Sequence, residues 1–154
     1  MTTRTHHPRP TGHHLARWQR LSVYAVGASL FVTGMAWLGV HYLVGAGTGE
    51  LPHPLEAWCM QLHGLAAFAG LFVFGVMAAA HLPHGWRLSR RLRWAHQRRS
   101  GIVLCSLAAT LALSGYLLYY YAPEWVRPSM GWIHAVAGAA MAIALAVHRR
   151  GVNA

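Results

Sequence analysis

Four stretches of the chain are apolar from end to end: Leu21–Val44, Ala57–Ala80, Gly101–Ala122 and Met130–Val147. None contains an aspartate, glutamate, lysine or arginine. An α-helix needs about 20 apolar residues, with a range of about 17–25, to cross the hydrocarbon core of a bilayer. The pattern therefore predicts four transmembrane helices. The fourth stretch is short, but Trp132 at one end and Arg149 and Arg150 at the other can anchor it at the two interfaces. The first is longer than the roughly 7–15 residues of a signal-peptide core. No small-residue cleavage site clearly follows it, so we read it as a retained helix. The expected fold is all-α, an integral membrane four-helix bundle.

The connections alternate in charge, and this sets the expected orientation. Twelve of the thirteen arginines fall in the N-terminal tail, the segment from Leu82 to Ser100 and the C-terminus. The remaining segments carry Arg127 alone and all three glutamates, Glu50, Glu56 and Glu124. Short basic segments stay cytoplasmic, so both termini are expected in the cytoplasm of a multi-pass protein of the bacterial inner membrane. Residues 1–16 read as a disordered basic, histidine-rich tail, residues 17–150 as the membrane domain and 151–154 as a second tail. The segment Trp86–Arg99 reads as an interfacial helix lying on lipid.

Composition agrees: 55% of residues are hydrophobic and 10% charged. Soluble domains carry roughly 25% charged residues. A net charge of +10 points to nucleic acid in a soluble protein. Beside long apolar runs it points instead to the lipid bilayer and its anionic headgroups, and no nucleic-acid partner is expected. Cys59 and Cys105 fall near opposite ends of their helices, which argues against a disulfide. Without a C-x-x-C-H motif, covalent haem attachment is excluded. There is no nucleophile motif, phosphate loop or paired carboxylate, so a stand-alone enzyme is not expected. Ion-coupled transporters use carboxylates inside the membrane, and the four stretches have none.

Twelve histidines are the anomaly. The two halves of the chain also repeat faintly. Thr33-Gly34 lies within the first helix and Ser114-Gly115 within the third. Each helix leads through a proline-containing loop to a histidine near the start of the next, His63 or His134, and each of those helices closes with a histidine, His81 or His148. Helices two and four then run parallel. His134 and His148, 14 apart, share a helix face, as do His63 and His81, 18 apart. Two facing helices thus offer two cross-helix imidazole pairs at different depths. A haem iron has two axial positions, and a four-helix bundle can fill them from facing helices. His63, His134, His81 and His148 are accordingly the candidate iron ligands, holding one or two non-covalent haems b. Arg127 is the candidate partner for outer propionates, and Arg87 or Arg149 for inner ones. Gly64, Ala66, Ala67, Ala135 and Gly138 leave room for a flat group. The unequal spacings keep other ligands open: His84, His96 and His14 on the inner side, and His41, which alternatively lines a quinone pocket. Cys59-Met60 with His63 is a weaker, copper-like cluster.

Four helices, the His134–His148 spacing and His63 early in helix two resemble the membrane-bound cytochrome b subunits of formate dehydrogenases and nickel-iron hydrogenases. Arg17-Trp18 leading to Thr33-Gly34 is similar to that family's opening, and Leu113–Tyr120 to related small di-haem membrane proteins of bacteria. The resemblance implies an outer haem on His63 and His134 and an inner haem using His148. It departs in one place. The family's other inner ligand stands just before a tryptophan at the start of helix one, where this chain has Arg17. His81 would replace it, or the inner haem is absent. The expected function is electron transfer across the bilayer, between a periplasmic redox partner and quinone or an inner acceptor. The alternatives are a non-catalytic accessory or assembly subunit and a small histidine-dependent transporter.

Overall fold

The computed structural model describes residues 16–91 and 95–153. The tail before residue 16, with its four histidines, lies outside the described residues, as does Ala154. The described chain forms α1 (Arg17–Val44), a single 3-10 turn (Ala46–Thr48), α2 (Pro54–Arg91), α3 (Ala95–Tyr120) and α4 (Arg127–Asn153). All four helices are long and apolar enough to cross a membrane. The protein is an all-α, four-helix bundle built for a bilayer.

Each helix outruns its apolar stretch. The 38 residues of α2 span about 57 Å, against a hydrocarbon core of about 30 Å. Pro83 sits inside α2, just past the last apolar residue, Ala80. The helix hydrogen bond that proline removes is thus lost where the chain leaves the apolar region. Residues 81–91 continue α2, so the segment read as a separate interfacial helix is in large part an extension of two long ones. Arg98 of α3 lies over the ring of Trp86 of α2, 5.9 Å from its centre.

Short connections make α1–α2 and α3–α4 antiparallel hairpins, and these are the closely packed pairs. The hairpins meet each other more sparsely, through α2 with α3 and α1 with α4. Across the diagonals, α1 to α3 and α2 to α4, no Cα atoms among the described residues approach within 8 Å. Inward positions recur every three to four residues. On α2 they are Cys59, His63, Ala66, Gly70, Val73 and Met77; on α4, Met130, His134, Ala137, Met141 and His148. This is the seam spacing of packed helices. The other faces are apolar too: Phe68, Phe72, Leu65, Ile143 and Val136 are exposed. A helix that is hydrophobic all round is a buried or membrane-spanning one, so these faces meet lipid. Small residues bring the helices together; a methyl on Gly70 would stand 3.3 Å from Val26 of α1.

The α1–α2 connection is tied by Glu56 in the first turn of α2. One carboxylate oxygen accepts the N–H groups of Ala46 and His53, both at 3.0 Å. The other lies 2.8 Å from Nδ1 of His41. Pro54 opens the helix, where its missing donor costs nothing, and the ring of His53 accepts the N–H of Leu55 at 3.2 Å. Gly45 packs so closely on the carboxylate that a side chain there would collide with it. Replacing Glu56 by alanine removes all three bonds. The expected loss is about 1–2 kcal/mol at this helix start, seen as faster hydrogen exchange of the Ala46 and His53 amides. Unchanged exchange at both would show that the loop is held by something else.

Candidate functional site

His63 of α2 and His134 of α4 meet in the bundle interior although their helices stand on a diagonal. Their ring centres are 6.2 Å apart and their planes cross at 71°. Each ring is seated by the other helix of its own hairpin. The hydroxyl of Thr33 on α1 lies 3.0 Å from Nδ1 of His63. The hydroxyl of Ser114 on α3 lies 2.8 Å from Nδ1 of His134. Each hydroxyl also meets backbone carbonyls, which only accept: Ser29 at 2.7 Å and Leu30 at 3.2 Å for Thr33, and Leu111 at 3.3 Å for Ser114. A hydroxyl has one proton to donate. Where that proton goes to the carbonyl, the oxygen accepts from the imidazole, and the ring then carries its proton on Nδ1 and an unshared pair on Nε2.

The residue after each hydroxyl is glycine. A methyl group on Gly34 would touch Cε1 of His63 at 3.4 Å, and one on Gly115 would touch Cε1 of His134 at 3.4 Å. Ser/Thr-Gly is thus a two-part seat. The hydroxyl fixes the ring's tautomer, and the bare Cα lets the ring's edge lie against the backbone. The two hairpins build the seat identically, which gives the internal repeat its physical content.

Among the described residues, no hydrogen bond reaches Nε2 of either ring. Neither is a sealed, unsatisfied atom, because no buried side-chain nitrogen or oxygen lacks a partner. Both Nε2 atoms therefore open onto space. Neutral imidazoles are ligands for an electron-poor centre, and these two stand with their ring centres 6.2 Å apart. Among the described residues, no third histidine, cysteine or carboxylate joins a metal-holding group.

The other sequence candidates are dispersed. Arg127 opens α4 and donates to the carbonyl of Ala122 at 3.2 Å. It precedes His134 by seven residues, about 10 Å along the helix. His148 lies at the far end of α4, its Nδ1 2.8 Å from the hydroxyl of Ser100 on α3. His81 lies half-buried at the far end of α2, with His84 one turn on and exposed. Among the described residues no ring contact joins His81 to His148 as one joins His63 to His134. Arg149 lies over the ring of Tyr24, 5.3 Å from its centre, and Arg87 is exposed. The side chain of His96, like all of His14, lies outside the described residues. Of the small residues, Ala66, Ala67, Ala135 and Gly138 face inward while Gly64 faces out. Cys59 and Cys105 are both free thiols.

His41 stands apart from the pair, bonded to Glu56 and stacked on Trp37 with ring centres 4.5 Å apart and planes 13° from parallel. Sequence reasoning missed Glu56. It lies one residue before the apolar stretch and 15 residues from His41, across a loop. The available signal was a glutamate three residues after His53, the residue that precedes α2, which is the spacing of a capping box.

Comparisons with protein-family models, curated proteins and solved structures find no match to this chain. Fold and site together define a class: a four-helix bundle, long and apolar enough to span a membrane, with an imidazole pair meeting between its hairpins.

Proposed function

We propose that the chain is a b-type cytochrome that carries electrons through the bilayer on a haem held by His63 and His134. The observation that carries this reading is the meeting of the His63 and His134 rings between the hairpins, with their centres 6.2 Å apart. The donor set fits the group. Two neutral imidazoles suit haem iron, and they come from helices whose Cα atoms nowhere approach within 8 Å among the described residues. When bound, the haem supplies one-electron iron chemistry. Thr33 and Ser114 orient the ligands, the surrounding apolar residues keep water out, and Arg127 places a positive charge two helical turns from His134. The proposal is for one haem.

In this reading the arginine-rich ends face the cytoplasm of a bacterial inner membrane. The pair then lies toward the periplasmic side, between a periplasmic redox partner and quinone or another acceptor. The test is the visible spectrum of the protein purified in mild detergent from haem-replete cells. Sharp b-type bands that shift on reduction, at about one haem per chain, are the expected result. A colourless preparation would sink the reading and leave the bundle as an accessory or assembly subunit.

A further inference from the structure

The two hairpins meet along two seams, and at the arginine-rich end an arginine lies over an aromatic ring across each. Arg98 of α3 pairs with Trp86 of α2, and Arg149 of α4 with Tyr24 of α1. The two contacts differ in depth. Trp86 lies six residues past Ala80, where the apolar stretch of α2 ends, about 9 Å beyond it along the helix. Tyr24 lies three residues inside the apolar stretch of α1. Only the second contact therefore brings a guanidinium to the edge of the apolar region.

Arg149 stands two residues past the apolar stretch of α4. Side chains on a helix lean toward its N-terminus, so that of Arg149 leans back toward the apolar region. Its guanidinium rests 5.3 Å from the centre of the Tyr24 ring. Arg20 and Arg17 precede Tyr24 by four and seven residues on the same face of α1, about 6 and 10 Å farther out. All three arginines are exposed. Like charges gathered in this way repel. Among the described residues the one ion pair is His41 with Glu56, and Glu50, Glu56 and Glu124 all lie near the connections at the opposite end of the helices. The ring takes the face of the Arg149 guanidinium. The N–H groups lie in the guanidinium plane and stay available, in a fork that matches a phosphate.

Beneath the arginines the same face of α1 continues apolar. Tyr24, Ala28, Phe31 and Met35 recur every three to four residues and all are exposed, and the hairpins meet sparsely along this seam. The stripe ends on Tyr42, whose ring stacks on Trp132 of α4. Arginines over an apolar track match a phosphate joined to an acyl chain.

We propose that this end of the α1–α4 seam is a binding site for one anionic phospholipid. Arg149 and Arg20 hold the phosphate, and Arg17 adds to the positive field around the headgroup. Tyr24 positions Arg149, and an acyl chain lies along Ala28, Phe31 and Met35. A zwitterionic headgroup would bring an ammonium into the same field, which the arginines repel. The site stands apart from the imidazole pair and does not depend on what that pair holds.

The experiment is native mass spectrometry of the full chain in mild detergent, titrated with phosphatidylglycerol or with phosphatidylcholine of the same acyl chains. One phosphatidylglycerol per chain is expected to bind well ahead of any other and ahead of phosphatidylcholine. Arg149→Gln and Arg20→Gln should each weaken that first binding about fivefold, the contribution of one arginine at an anionic surface. Tyr24→Leu should weaken it too, because Arg149 loses its support. Arg98→Gln, at the other seam, should leave it unchanged. If Arg149→Gln does not fold, Arg20→Gln against Arg98→Gln decides. An equal loss in Arg98→Gln would mean that the arginines act as one diffuse charge. A first binding that is the same for both lipids, or unmoved by the Arg149 and Arg20 exchanges, would mean that they hold no headgroup. Inorganic phosphate bound as tightly as the lipid would make the seam a site for the free ion. Each of these results overturns the proposal.

Discussion

Protein in which His134 is replaced by alanine is expected to fold, insert and emerge without its haem bands, and His63→Ala is expected to do the same. The two rings come from diagonal helices with their centres 6.2 Å apart, and in the haem reading each would hold the iron from its own helix, so neither substitutes for the other. With no covalent attachment, loss of one axial ligand leaves the haem on a single imidazole, and retention through purification is lost. The scaffold should survive. Ser114 keeps its bond to the carbonyl of Leu111, and the lost imidazole bond is worth about 1 kcal/mol. Thermal melting in detergent checks that the loss of colour is not unfolding. His84→Ala is the control and should keep full colour. If both the His63 and His134 exchanges keep all the haem, the iron sits elsewhere and the pair is only a packing contact.

Much of this was readable in the chain because the bilayer imposes a simple grammar. Four charge-free stretches became four helices since, in hydrocarbon, a backbone must satisfy its own hydrogen bonds. His63 and His134 were legible because a polar group in such a stretch stands out. The faint Thr33-Gly34 and Ser114-Gly115 repeat was visible as well, but its use was not. Knowing that each hydroxyl reaches the histidine of its own hairpin requires knowing which face of α1 meets α2. Helical phase hides that where every face is apolar. Phase also left the far ends undecided. His63 with His81, and His134 with His148, share faces by count, yet sharing a face does not fix depth. Spacings of 18 and 14 residues differ by about 6 Å of rise. Pro83 lies two residues past His81, and His148 is bonded to Ser100. The Glu56 tie escaped notice because apolar windows end where charges begin, and its partners His41 and Ala46 meet it only through loop geometry.

Removing both seat hydroxyls tests whether the pair is built as a site or merely happens to meet. Thr33→Val and Ser114→Ala leave nearly the same volume but take away the oxygen that accepts from each Nδ1–H. Each imidazole is then free to turn, or to move its proton to Nε2 and lose the lone pair there. Partners of this kind typically contribute 10–100-fold to metal affinity. Each single exchange should weaken haem binding by about that factor, and the double exchange by more. The readout is haem uptake by apo-protein and transfer of haem to an acceptor protein. A hydroxyl that accepts from Nδ1–H also makes the ligand more electron-donating, so the midpoint potential should rise when it is removed. A purely structural hydroxyl would not move it. Thr33→Ser and Ser114→Thr keep the oxygen and should restore both properties. Haem affinity and potential unchanged in the double variant would mean that the rings hold their tautomers unaided, and the lone-pair argument for the site would fail with them.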